Sequence, residues 1–570
     1  MEYMGLIILA VAVVIALSTV SDRLGVAPPL ILMVVGVGVS LLPFVASIRI
    51  DPEWILAGVL PPLLYAAAVA IPTTDLRRDF LPVGALAVVL VVISAVAVGF
   101  VVHWLVPGIG LAPGIALGAI LSPTDAVATR IVRRLGVPNR VGTILEGESL
   151  LNDATALVLL RSAIAATAVS VPIIQWVGQF LWAAAAAAVI GAVVGWAGVR
   201  VRALVREPAP ATAISFLLPF AVYFLAELVH ASGLVAVVAA GVAAAELGPV
   251  HLDARQRVSE RANWHTVEFL LEGAVFLVMG LELSALLTDL YRTHETLGLA
   301  IGVAALALGL MLVVRWVYVD LLVRSTRART RFRHARTTRW RDPAHRSRQA
   351  LASGRAAVTV RLDQAKPRTR ARAERWMDRV GAWLRRYVAD VDYLIHQPLG
   401  MREGTLLTWA GMRGVVTVAA AQTLPLATPH RSLLVFTAFL VAAVSLLLQG
   451  GTLSAVIRLL KLDGQDEAPP DEWPRLQAEL AAATPPHPVA AGDLARLAVV
   501  RARRQVLLGL RSTGRYTCRN LAIALAELDA DEMALQLRLA GPGFRWATPA
   551  SPVPPAPASG DTAERPTTPR

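Results

Sequence analysis

Apolar segments of about 20 residues recur along most of this chain, and few folds can house that pattern. Each segment, coiled as a helix, is long enough to cross the hydrocarbon core of a bilayer, where every backbone polar group has to be satisfied within the segment itself. The 570 residues are 56% hydrophobic and 17% charged, whereas a soluble domain carries about 25% charged residues. Met1–Val20 has no basic stretch ahead of its apolar run and many further spans follow it, so it reads as a first transmembrane helix and not as a signal peptide. The spacing predicts an all-α polytopic membrane protein of about thirteen helices, at 4–21, 27–46, 53–71, 82–106, 112–130, 141–168, 171–199, 211–230, 232–249, 265–288, 297–323, 404–425 and 432–460.

The formal charge of +13 raises the question of a nucleic-acid partner. Its distribution answers it: about twenty Lys and Arg lie between Arg324 and Arg402 against six Asp and Glu, and the remainder of the chain is close to neutral. This reads as a basic loop resting on anionic lipid headgroups, with a regulatory or nucleic-acid role as the alternative. Arg77/Arg78, Arg130/Arg133/Arg134/Arg140, Arg200/Arg202/Arg206, Arg255/Arg257/Arg261 and the 324–402 insert all follow odd-numbered spans. They place the N-terminus outside and the C-terminus in the cytoplasm of a cell-membrane protein.

The expected organisation is transmembrane helices 1–11 over 1–323, a basic cytoplasmic insert over 324–402 with an amphipathic helix near Ala373–Tyr387, and helices 12 and 13 over 403–461. A cytoplasmic helical domain follows over 462–540, and then a Pro-, Ala- and Thr-rich tail over 541–570. Cys518 is the single cysteine, so intrachain disulfides and multi-cysteine clusters are excluded, and no cofactor is implied.

Ionisable residues inside spans are costly, which makes each one a functional hypothesis. The sixth span carries Glu146, Glu148, Asn152 and Asp153. Spacing by four puts Glu148 with Asn152 and Ser149 with Asp153, giving one helix face two carboxylates, a carboxamide and a hydroxyl. Glu146 belongs to the interface, whereas Asp153 has further apolar turns on either side. In the fifth span, Pro123 within Ser122-Pro123-Thr124-Asp125 interrupts the helix. A break at that depth presents carbonyls and half-helix dipoles to a cation. In the twelfth span, Gly411-Met412-Arg413-Gly414 holds an Arg that stays charged and needs a partner, and Glu148 is the expected one.

Together, Leu60-Pro61-Pro62-Leu63-Leu64-Tyr65, Ser122-Pro123-Thr124-Asp125, Gly147-Glu148-Ser149-Leu150-Leu151-Asn152-Asp153 and Gly411-Met412-Arg413-Gly414 resemble the cation:proton antiporters of the NhaP and animal sodium/proton exchanger group. Weaker matches are Ala226-Glu227 with Ser232-Gly233, and the run Phe276–Leu283. The resemblance covers roughly residues 1–460 outside the insert, and it implies inverted repeats with crossing broken helices. By resemblance, Asp153 binds a dehydrated alkali cation or a proton, Ser149 and the Thr124 backbone supply oxygens, and Asn152 holds the crossing helices. Asp125 compensates the helix dipoles, and Glu148 with Arg413 forms a structural ion pair. The resemblance further implies a homodimer in which a core domain moves past a dimerisation domain. Where many members carry an acid after the Pro-Pro segment, this chain has Ala66.

One carboxylate that holds either a proton or a cation enforces exchange, with sodium expected and lithium or potassium as alternatives. Asn152 stands where electrogenic relatives carry a second aspartate, which implies one cation for one proton. A channel would want symmetric rings or a carbonyl filter. An intramembrane metalloprotease would want a His-Glu-x-x-His motif, which is missing.

Overall fold

The computed structural model describes residues 2–24, 26–43, 51–168, 173–205, 207–328, 376, 390, 393, 397–465, 471–482, 492–513 and 515–540. Every regular element among them is helical. They are α1 (Glu2–Leu24), α2 (Pro28–Ser40), α3 (Trp54–Ala70), α4 (Thr73–Arg78), α5 (Phe80–Leu105), α6 (Leu111–Leu121), α7 (Val127–Arg134), α8 (Asn139–Ala168), α9 (Ile173–Leu204) and α10 (Pro208–Leu228). There follow α11 (Gly233–His251), α12 (Ala254–Arg292, with a turn at Glu282), α13 (Leu297–Ala328), α14 (Met401–Trp409), α15 (Val415–Gln422), α16 (Arg431–Leu459), α17 (Glu472–Ala482), α18 (Asp493–Thr513) and α19 (Cys518–Ala540).

Eight of these helices are long and apolar enough to span a bilayer: α5, α8, α10–α13, α16 and the stretch Leu181–Leu204 of α9. Shorter apolar helices fill the expected first, second and third spans. The expected spans 112–130 and 404–425 are each broken into two short helices, α6/α7 and α14/α15. Pro123 sits in the first break and Gly411 and Gly414 flank the second, as residues that end helices should. Of the amphipathic helix expected near 373–387 only Trp376, helical and exposed, is described, and the tail from 541 falls outside the described residues.

Side-chain packing divides the membrane helices between two apolar cores. One gathers α5–α8 and α13–α16 with parts of α1, α2 and α12. The other gathers α3, α9, α10, α11 and the first half of α12. Within the first core, α5 and α6 approach until a Cβ on Gly118 would overlap the Ala95 backbone, the close fit small residues permit between membrane helices. Leu150 of α8 and Ala419 of α15 pack into the second core although their helices are built mainly into the first. The seam between the cores therefore runs beside the middle of α8.

Helices α17–α19 form their own small core around Leu476, Leu507, Leu528 and Leu535. This unit docks on the ends of the membrane helices. Arg257 of α12 pairs with Asp529 of α19, and Arg504 of α18 donates to the Pro249 and Leu252 carbonyls at 2.7 and 2.9 Å. Cys518 lies 2.7 Å from Thr74 Oγ1. Burial, reinforced by the negative charge of Asp75, pushes the Cys518 thiol up to about 12. Since the thiolate is the reactive form, a maleimide at pH 7.5 should leave Cys518 unlabelled in the folded protein and label it fully in denaturant, as mass spectrometry would show. Ready labelling in the native state would mean that the unit is undocked.

Candidate functional site

The site is made where α8 passes the two broken helices. Loss of helical pairing at Pro123 leaves the Thr124 carbonyl outside any helix, and Ser149 Oγ donates to it at 2.9 Å. Asn152 Nδ2 donates to Thr124 Oγ1 at 2.6 Å. Asp125 binds in both directions: its N–H donates to the Met412 carbonyl at 2.8 Å, and its Oδ1 accepts the Val127 N–H at 2.9 Å. The first bond ties one helix break directly to the other. The second puts a carboxylate at the N-terminus of α7, the positive end of its dipole. A Cβ at position 414 would overlap the Asp125 carboxylate, so Gly414 is the space that carboxylate occupies.

Asp153 lies one turn beyond Ser149, 5% exposed, and its Oδ1 has no hydrogen-bond partner. Asn152 Oδ1 is likewise buried without one. Among the described residues no basic side chain comes within ion-pair distance of Asp153, in contrast with the buried acids Asp79, Glu148 and Glu260, which hold Arg140, Arg315 and Arg202. Ser149, Asn152 and Asp153 thus follow one another within about a turn of α8, and the first two bond to Thr124 of the broken helix. Hard oxygens such as theirs suit an alkali cation, and a buried carboxylate with no cationic partner is stabilised by a cation or a proton.

The expected Glu148–Arg413 pair is corrected by the structure. Glu148 is held by Arg315 of α13, whose Nη2 donates to Oε2 at 2.9 Å and whose Nη1 donates to Oε1. Arg315 also donates through Nε and Nη2 to the Leu407 carbonyl, at 3.1 and 2.8 Å. Arg413 stands beside this pair but spends its guanidinium on carbonyls: Nε donates to Leu121 O at 2.9 Å and Nη1 to Gly411 O. Its backbone N–H donates to Ser445 Oγ at 3.0 Å. The reason is positional. Leu121 ends α6, where carbonyls at a helix C-terminus lack helical donors and attract a cation. Gly411 leaves the room that the Arg315 guanidinium fills, since a Cβ there would overlap it.

The rule that singled out Arg413, a charge within an apolar span, applies equally to Arg315 in Met311-Leu312-Val313-Val314-Arg315-Trp316, but spacing along the chain could not say which arginine faces α8. Glu146 pairs with Arg133 at 2.5 Å, away from the break. Ala66 is buried in α3 next to Tyr65, whose ring packs on Trp264 with centroids 5.2 Å apart.

Known proteins agree with this architecture. Residues 8–345 match the family model of the sodium/hydrogen exchanger, transmembrane. The chain is 39% identical over 295 residues to YjcE of Escherichia coli (strain K12), named as an uncharacterized Na(+)/H(+) exchanger, in a match covering 49% of this chain and 53% of YjcE. It is 27% identical over 453 residues to the sodium, potassium, lithium and rubidium/H(+) antiporter of Bacillus pumilus, covering 76% of this chain and 58% of that one. The chain thus spans little more than half the length of these relatives. The solved structure of the sodium proton antiporter MjNhaP1 from Methanocaldococcus jannaschii shares the fold, with a TM-score of 0.54 at 16% identity, over 81% of this chain and 100% of that one. With its family model matched over more than half its length, this multi-pass membrane chain belongs to the transmembrane sodium/hydrogen exchanger family.

Proposed function

We propose that the protein exchanges one monovalent cation, sodium first, for one proton, by alternating access around Asp153. The observation that carries this reading is a buried Asp153 carboxylate with an unpartnered oxygen, one helical turn from Ser149 and with no basic side chain in ion-pair range among the described residues. Asn152 spends its donor on Thr124 and Asp125 spends an oxygen on the Val127 N–H, so Asp153 is the group left to carry the exchanged charge. Proton and cation then exclude each other at one carboxylate, and one-for-one exchange follows. The seam beside α8 is where one core would slide past the other. A homodimer oriented with its N-terminus outside, the second core at the dimer interface, fits the family resemblance and the basic loops.

The test is a proteoliposome with an imposed pH gradient and a voltage dye. Sodium should collapse the gradient without a voltage signal, and lithium, potassium and rubidium rank the selectivity. The name of the Bacillus pumilus relative supports including all four ions. A cation current with no proton counterflow would sink the reading in favour of a channel. The two breaks make a second expectation. Gly414→Ala should displace Asp125 and lower exchange by about tenfold or more, since misplacing a functional group by about 1 Å can cost up to about 10²-fold. The same assay measures it, and unchanged exchange would show that Asp125 has room to move.

A further inference from the structure

Alternating access around Asp153 requires contacts between the two cores that form and break in each cycle. Taking that reading as its basis, we infer that Arg161 and Glu227 form a latch that closes one mouth of the pathway. Arg161 lies on α8 eight residues past Asp153, about 12 Å along the axis at 1.5 Å per residue. Its helix packs Ile144, Leu145, Leu160 and Ala163 into the first core. Glu227 lies near the end of α10, whose Leu218, Val222 and Ala226 pack into the second. Arg161 Nη1 donates to both Glu227 oxygens, at 3.1 and 3.0 Å. The pair therefore joins the helix that carries Asp153 to the opposite body.

Its character is that of a contact made to open. The Arg161 side chain is 61% exposed and that of Glu227 30%, and half-exposed pairs contribute little net stability. Glu227 Oε1 also accepts the Gly233 N–H at 3.2 Å, at the start of α11. Released by Arg161, the carboxylate keeps a partner within its own core and is not stranded. Glu148 and Arg315 differ on both counts: both side chains are 2% exposed, and the residues around them on α8 and α13, Ile144, Leu145, Met311 and Val319, all pack into the first core. In the other direction along α8 from Asp153, Glu146 meets Arg133 and, nearby, Arg130 of α7 meets Glu272 of α12. Arg161–Glu227 thus stands alone on its side of Asp153 among the ion pairs of α8 in the described residues.

The test uses the full-length protein with Cys518→Ser, carrying Arg161→Cys and Glu227→Cys, bridged by a bis-methanethiosulfonate reagent that a reductant cleaves. Before bridging, sodium/proton exchange in proteoliposomes should stay within about threefold of the Cys518→Ser parent, as removal of a half-exposed pair allows. Bridging should then lower exchange by about tenfold or more, and reductant should restore it. Bridging in high yield with unchanged exchange would make the pair a static contact and overturn the latch. Failure to bridge would show that the two positions do not meet, and inactivity before bridging would mark the pair as structural; either overturns it as well. Should the cysteine protein not emerge monodisperse from gel filtration, charge reversal decides. Arg161→Glu should shift half-saturating sodium by about threefold or more and adding Glu227→Arg should reverse the shift, whereas no shift overturns the latch. Absence of exchange in the Cys518→Ser parent would instead bring down the exchange reading itself, whatever the bridging yield.

Discussion

Asp153→Asn should reduce cation/proton exchange to the background of protein-free liposomes, a loss of about a hundredfold or more. Asparagine keeps the shape of the side chain and removes both the charge that holds a cation and the site that holds a proton. The bonds of Ser149 and Asn152 to Thr124 do not involve Asp153 and should survive. The substitution should also leave the protein at least as heat-stable as before, because a buried carboxylate without a basic partner is a cost to the fold. The pair of readouts is what makes the test sharp. Lost exchange with undiminished melting temperature marks a functional carboxylate, lost exchange with lost stability a structural one, and retained exchange removes Asp153 from the transport step.

The second large effect is one of stability. Glu148 and Arg315 are each almost fully buried, and removing one member of such a pair strands the other charge, at a cost of about 3–5 kcal/mol. Arg315→Met alone and Glu148→Gln alone should each lower the melting temperature in detergent strongly. Their combination should recover much of the loss, since replacing a whole buried pair is often near neutral. Arg413→Met should destabilise too, through the Leu121 carbonyl it leaves unserved, but Glu148→Gln should not rescue it. Rescue of Arg413→Met and none of Arg315→Met would restore the pairing expected from the sequence.

The fold was legible in the chain because the bilayer imposes a length and a composition on each spanning helix, and the break at Pro123 because proline removes a backbone donor wherever it stands. The cluster of Ser149, Asn152 and Asp153 was legible because spacing by four fixes a helix face. The choice between Arg315 and Arg413 was not. Both are charges in apolar spans, and which one reaches Glu148 depends on how α13 and α14 pack against α8, which only the tertiary structure supplies. The tie from Asp125 to Met412 was hidden for a like reason: it is a backbone bond between two interrupted helices, and side-chain identity carries no trace of it.

Where the basic insert leaves and rejoins the bundle, Arg327 Nε of α13 donates to the Leu399 carbonyl at 3.0 Å, below the bonds from Arg315 of α13 to the Leu407 carbonyl of α14. Closer in, Arg140 donates to the Gln397 carbonyl at 2.5 Å. The insert thus leaves and rejoins the bundle at one stapled base. Its far end also docks on the bundle, where Arg78 pairs with Asp390 and Tyr393 donates to Asp79, so a change in its length acts through those contacts as well as through loop entropy, which grows by about 0.6 kcal/mol for each doubling. A reporter grafted into the insert should therefore leave exchange intact only where it spares the contacts of Asp390 and Tyr393 with the bundle.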